Sequence, residues 1–288
     1  MPRLKQMNVV MSKNEMSEEE IFKDEAASPS AAALATSSAP TPADLLRTAA
    51  DPAVTEDLAL ALLKRADLPS EVLEQLARNS NALKTRKVRI ALASHPHTPR
   101  HVSVPLARQF YTFDLTKVAL APGVPADVKV AVDDVLIARL KTVTVGERLT
   151  LARRASGRVA AALLLEVEDT ERKNDRKIDH KAKVAETVAR ATRVMQTALE
   201  NPRLTEALVV SSVLHPTASA ALVHAVARHA KWFPRGEIRA ALLRTEHLSL
   251  ARALEFSREI PAPLLQELLA SSRLPAKIKD QLLRENFV

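Results

Sequence analysis

The chain has 288 residues, is 47% apolar and 3% aromatic, carries a net charge of +8, and has four glycines and no cysteine. Without cysteine, disulfides, thiolate nucleophiles, thiolate zinc sites and cysteine-ligated iron–sulfur clusters are excluded, and the longest apolar run, Val159 to Leu165, is too short to cross a bilayer as a helix. Ala, Leu, Arg and Glu dominate, which favours helix over strand and closely spaced helices over a sandwich or barrel, so an all-α protein is expected.

Residues 1–44 read as a disordered tail. They hold four basic and seven acidic side chains, and the low-complexity "AASPSAAALATSSAPTP" offers little to pack. There is no hydrophobic secretion core, and "EMSEEE" is acidic where a transit peptide is poor in acid; a cytoplasmic protein is expected.

Residues 45–136 form a first helical stack. "DPAVTEDL" (51–58) returns 150 positions later as "NPRLTEAL" (201–208), and the ungapped offset carries the turn signals of 51–136 onto 201–286. Helix openings fall at Thr55, Pro69, Pro99 and Pro125, then at Thr205, Ser219, Ser249 and Pro275, with the spacings 14, 30 and 26 in both halves. An apolar residue usually stands three and seven positions on, which places Leu58 and Leu208 at equivalent, buried sites. A helix of about ten residues cannot bury such a stripe alone. Copies stacked side by side can, and the expectation is an α-solenoid of degenerate helical repeats in two homologous stacks offset by 150 residues.

Residues 137–193 connect the stacks. "GERLTLARRASGRVAAALLLEV" (146–167) reads as a helix pair or one helix kinked at Ser156–Gly157, and "KTVTVGE" (141–147) as a helix connection. The run "EVEDTERKNDRKIDHKAK" (166–183) is almost devoid of apolar residues and reads as an exposed, solvated insert or free helix rather than a binding arm. The second stack spans 194–288.

"VRIALASHPHTPRHVSVPLAR" (88–108) and "VMQTALENPRLTEALVVSSVL" (194–214) resemble units of the leucine-rich repeat variant family, within the wider group of HEAT-like helical repeats. The resemblance covers about 46–136 and 194–286 in degenerate form. It implies short helices paired in a superhelical stack, and interaction surfaces rather than catalysis. Departures are His95 and Asp51 in place of the family's Asn, and Pro105 inside a helix.

No phosphate-binding loop, nucleophile elbow or zinc-protease motif is present. His95, His97 and His101 invite a metal reading, but their counterparts Thr245, His247 and Ala251 do not repeat it; no metal, cofactor or catalytic residue is expected. Basic residues cluster at Lys84, Arg86, Lys87 and Arg89, at Arg153, Arg154 and Arg158, and at Lys231, Arg235 and Arg239 beside Trp232. The first and third clusters are the candidate polyanion-binding residues. The alternative is a structural ladder in which Arg78/Arg228, Arg89/Arg239 and Arg108/Arg258 reach carboxylates of the neighbouring repeat, and the symmetry favours it. "RQFYTFDL" (108–115) reads as core filling rather than a stacking platform. The functional expectation is a non-catalytic scaffold that binds a protein or peptide; the alternative is a nucleic-acid-binding protein using the basic turns.

Overall fold

The computed structural model describes residues 41–166 and 180–286, the second segment with side chains from 186 onward. The described residues form seventeen α-helices and no strand. In chain order they are α1 (Pro42–Ala50), α2 (Glu56–Leu63), α3 (Ser70–Arg78), α4 (Ser80–Lys84), α5 (Arg86–Ala93), α6 (Arg100–Arg108), α7 (Thr112–Leu120), α8 (Ala126–Arg139), α9 (Val145–Arg154) and α10 (Gly157–Leu165). After the charged run follow α11 (His180–Leu199), α12 (Glu206–Leu214), α13 (Ala220–Arg228), α14 (Gly236–Leu243), α15 (Leu250–Ser257), α16 (Ala262–Ala270) and α17 (Ala276–Asn286).

Each of the eight openings read from the sequence stands immediately before a helix. Thr55, Thr205 and Ser219 accept from the backbone N–H three residues on, which satisfies one of the donors left free in a first turn. Pro69, Pro99 and Pro125 occupy the same position with extended backbone and no side-chain bond. Thr144 with Glu147, and Thr41 with Asp44, form reciprocal capping boxes. The second of these starts α1 at Pro42, so the tail boundary expected after residue 44 falls inside its first turn. Residues 167–179, the greater part of the charged run, and 1–40 lie outside the described residues. Of the stretch 146–167, the described residues 146–166 form a helix pair, because Ser156 caps α10 and breaks the chain after α9.

The strong helix–helix contacts join neighbours in chain order and helices two places on, with α2 and α5, three places apart, as the exception. Among them α1 packs on α3, α2 on α5, α5 on α7 and α6 on α8; in the second half α11 packs on α13, α12 on α14, α14 on α16 and α15 on α17. These are the same pairings at positions 150 residues apart. Between the halves, α8 packs on α10, α10 on α12 and α9 on α11. One continuous set of buried residues, from Leu45 to Leu282, runs through all of them.

A second link runs between turns. The last carbonyls of a helix have no acceptor role within it, and here side chains from about thirty residues later donate to them. Asn79 Nδ2 donates to the oxygens of Ala49 (3.0 Å) and Asp51 (2.8 Å). Trp232 Nε1 donates to Leu199 (2.8 Å), and Lys231 Nζ to Asn201 (3.5 Å). Ser272 Oγ donates to Leu243 (2.5 Å), and the Arg139 guanidinium to Arg108 and Phe110. Asn201 Nδ2 reaches Ala152 (2.7 Å) and Ala155 (3.2 Å) over 49 and 46 residues. That longer span encloses the charged run. Several of these side chains also close their own turn: Asn79 and Asn201 accept through Oδ1 from the N–H two residues on, as Ser272 does through Oγ and Asp51, His95, His215 and His229 do through a carboxylate or ring nitrogen.

The buried stripe differs from the expected one. Leu58 is 43% exposed and Leu208 only partly buried, whereas Ala59, Leu62 and Leu63 of α2 and Val209, Ser212 and Val213 of α12 form the inner face. In these two helices the stripe runs at four, seven and eight positions after the cap. Three and four after the cap are both buried in α3 (Val72, Leu73) and α13 (Leu222, Val223). Ser212 keeps a buried place by donating its hydroxyl to the Leu208 carbonyl. Pro105 stands inside α6 without ending it.

Candidate interaction surface

The first basic turn precedes and opens α5. Arg86 reaches the Asp114 carboxylate of α7 with Nε at 2.7 Å and Nη2 at 2.6 Å, and lies 5.1 Å over the Tyr111 ring. Asp114 is 1% exposed, so the guanidinium is what neutralises a buried charge. Lys87 pairs with Glu56 of α2 at 3.3 Å. Arg89 is partly buried, with Nε lacking a hydrogen-bond partner. Lys84 is exposed.

The second basic turn precedes α14 and is built around Trp232, which is buried. Lys231 Nζ stands 4.2 Å and the Arg235 guanidinium 5.3 Å from its ring centre. Arg235 also pairs with Glu206 at 2.7 Å. Arg239 donates to the Phe233 carbonyl at 2.9 Å and pairs with Glu259. Most of the seven candidate cations are therefore engaged by groups of their own chain. The strong helix contacts do not join α5 to α14, so the structure leaves the two turns as separate patches.

Ion pairs between different helices do occur, but largely through other arginines than the symmetric pairs read from the sequence. Arg86–Asp114, Arg100–Asp127 (3.1 Å), Arg158–Asp134 (2.9 Å) and Arg235–Glu206 carry them. Of the six symmetric arginines, Arg239 joins this set, while Arg78 pairs within its own helix with Glu74 at 3.8 Å. Gln109 stands where Glu259 would repeat, which leaves Arg89 no equivalent carboxylate.

The three histidines of "HPHTPRH" do separate jobs. His95 accepts through Nδ1 from the His97 N–H, so its Nε2 carries the proton donated to the Arg65 carbonyl at 2.8 Å. His97 Nδ1 lies 2.9 Å from the Leu68 carbonyl, and His101 Nε2 lies 3.5 Å from Glu74. No group of three metal-ligating side chains occurs among the described residues.

The aromatic run contradicts its reading as core filling. Phe110 is buried, but Tyr111 is 72% and Phe113 43% exposed. Tyr111 is the cap of α7, where the chain is still extended, and its exposed ring lies under the Arg86 guanidinium; of the three aromatics only Phe110, at the end of the preceding turn, is buried. Phe113 borders a cleft of about 460 Å³ between α7 and α9, walled by Thr116, Lys117 and Leu120 on one side and by Thr150, Leu151 and Arg154 on the other. A second cleft, of about 480 Å³, lies between α11 and α13 and is more polar, with Gln196, Glu200, His224, Arg228 and His229 among its walls. Burial holds the His229 imidazole below its ordinary pKa; Glu200 opposes that shift and Lys231 adds to it.

In the sequence Arg154 stands out only as one of a mid-chain basic cluster, and nothing there marks Lys117, Thr150 or the exposure of Phe113. The available signal was the pair of aromatics at a helix start, too early in the helix to share the buried stripe. Among the described residues no helix is long and apolar enough to cross a membrane. No family model, no curated protein and no solved structure matches the chain.

Proposed function

We propose that the protein is a non-catalytic α-solenoid scaffold that binds another protein or peptide through its repeat surface in the cytoplasm. In this reading it is built from degenerate repeats of the leucine-rich repeat variant and HEAT-like kind, as two related stacks 150 residues apart. The repeated pairings of α1 with α3, α2 with α5, α5 with α7 and α6 with α8 support the two-stack reading, as do the shared acceptor positions Ala49/Leu199 and Asp51/Asn201. Stacked repeats of this type make long surfaces from short helices.

The observation that carries the functional reading is the open seam between α7 and α9, bordered by the exposed ring of Phe113. Exposed aromatics beside a concave apolar site are the usual anchors of protein recognition. The nucleic-acid reading rests on Lys84 and on the two basic turns. It is weakened by the carboxylates, ring and carbonyls that already hold Arg86, Lys87, Lys231, Arg235 and Arg239. Affinity capture run in parallel from nuclease-treated and untreated extract separates the two readings. A polypeptide retained by the full chain supports the scaffold, and retention of nucleic acid alone, near physiological salt, supports the alternative.

A further inference from the structure

We propose that the α7–α9 cleft is a docking site for a short acidic peptide segment, one bulky apolar side chain of which enters the cleft between flanking Asp or Glu residues. The proposal rests on the scaffold reading and names the chemistry of its partner. The inner walls are apolar, supplied by Phe113, Leu120 and Leu151, and their volume of about 460 Å³ exceeds what one large side chain requires. Thr116 lines the cleft from α7 and Thr150 from α9, with their hydroxyls bonded back to the carbonyls of Thr112 and Gly146. That leaves the walls with few free donors, and shape and apolar contact dominate the interior.

The rim differs in kind. Lys117 stands on the α7 wall and Arg154 on the α9 wall, so a cation borders the opening on each side. The Lys117 side chain is 70% exposed and only loosely held, 3.8 Å from an Asp114 carboxylate already engaged by Arg86. Arg154 is exposed, as is Arg153 beside it, and neither has a carboxylate partner among the described residues. An apolar floor between two available cations is complementary to an apolar side chain between carboxylates. A nucleic-acid strand fits less well. It requires a track of phosphate contacts and rings on which successive bases stack, and this cleft offers two flanking cations and one ring.

The test is selection from a random peptide library displayed on phage, run against the immobilised full-length protein at about 0.15 M salt. Enriched peptides are then synthesised with a fluorescent label and titrated by anisotropy. The expected consensus has Leu, Ile, Phe or Trp adjacent to Asp or Glu. Arg154→Glu and Lys117→Glu are each expected to weaken binding by about tenfold or more, and peptides with Lys in place of the acids to recover affinity for the double variant. Phe113→Ala is expected to weaken binding as well. Should that variant fold poorly by circular dichroism, the two exposed charge reversals carry the test alone.

No enrichment, a consensus without acids, or binding indifferent to these substitutions would overturn the proposal. So would binding of a labelled single-stranded homopolymer that the same substitutions abolish. A polypeptide captured equally by wild type and by Arg154→Glu would leave the scaffold reading standing and remove this one. Loss of all polypeptide capture by wild type would remove the scaffold reading.

Discussion

The indole N–H of Trp232 donates to the carbonyl oxygen of Leu199 at 2.8 Å, and the oxygen 150 residues before that one, on Ala49, accepts from Asn79 Nδ2 at 3.0 Å. The acceptor is the same position in both halves; the donors are unrelated in shape. A helix end that must be covered by the next turn constrains what is donated, not which side chain donates it. Trp232→Phe keeps most of the ring and removes the donor, so it is expected to cost about 1–3 kcal/mol, and Asn79→Ala a similar amount. Denaturant unfolding followed by circular dichroism checks both. A midpoint unchanged by either substitution would mean that these links add nothing to the stack.

The glycines give a prediction of opposite signs. A Cβ built on Gly157 would stand 2.2 Å from the Arg203 carbonyl oxygen, and nothing lies within 4 Å of one built on Gly146 or Gly236. Gly157→Ala must push the 201–205 turn away from the start of α10 and is expected to cost about 1–3 kcal/mol or more. Gly146→Ala, inside α9, is expected to stabilise by roughly 0.5–1 kcal/mol. Thermal melting of the two variants tests the contrast, and equal shifts would contradict it.

A buried carboxyl and a partly buried imidazole set a dependence on pH. Burial raises the Asp133 carboxyl above its ordinary value of 3.8, with Asp134 adding to the shift and Ser156 and Arg158 opposing it. The folded state then binds more protons than the unfolded state above that value, so this group's contribution to stability falls as pH rises through the window. His229 has the opposite sense. Its pKa is lowered from 6.5, the unfolded state takes up the proton first, and stability is lost as pH falls below that value. Asp133→Asn is expected to raise the unfolding midpoint at neutral pH. His229→Asn, which retains an acceptor for the Lys231 N–H, is expected to flatten the acid side of the profile. Urea midpoints measured across the acidic to neutral range decide both.

Truncating Arg86 leaves Asp114 buried with only Lys117 near it, so Arg86→Ala is expected to cost about 1–3 kcal/mol, less than a fully buried pair because the Arg86 side chain is itself 55% exposed. Lys84→Ala, at an exposed position of the same turn, is expected to be neutral within about 0.5 kcal/mol. A test of polyanion binding at this turn therefore belongs to Lys84 and Lys87, since reversing Arg86 would perturb the fold. Comparison of the unfolding midpoints of the two alanine variants checks the assignment.

Helix class and helix starts were legible because capping is local: Thr55, Thr205 and Ser219 act on backbone three residues away. The buried face was less legible. Leu58 and Leu208 follow the cap at a spacing that one helix alone makes apolar, but the neighbour's position decides whether that spacing or the next faces the core, and Ala59 and Val209 took it. Leu58→Ala is accordingly expected to cost under about 1 kcal/mol, against roughly 2–5 kcal/mol for Leu73→Ala in α3. The α7–α9 cleft was not legible at all, because Phe113 and Arg154 lie more than forty positions apart and nothing in either segment announces the other. Charge clusters were visible in the sequence, but the carboxylates that engage them, Asp114 for Arg86 and Glu259 for Arg239, are long-range partners.

The most direct measurement is quantitative affinity capture with the full-length protein from matched nuclease-treated and untreated extracts at about 0.15 M salt, with the eluates assayed for both protein and nucleic acid and the variant Phe113→Ala run in parallel. The expected result is a polypeptide retained in near-stoichiometric amount by wild type and depleted by the variant. Retention of nucleic acid alone in an untreated extract, lost on Lys84→Glu with Lys87→Glu and indifferent to Phe113→Ala, would contradict it and return the basic turns to the centre of the function.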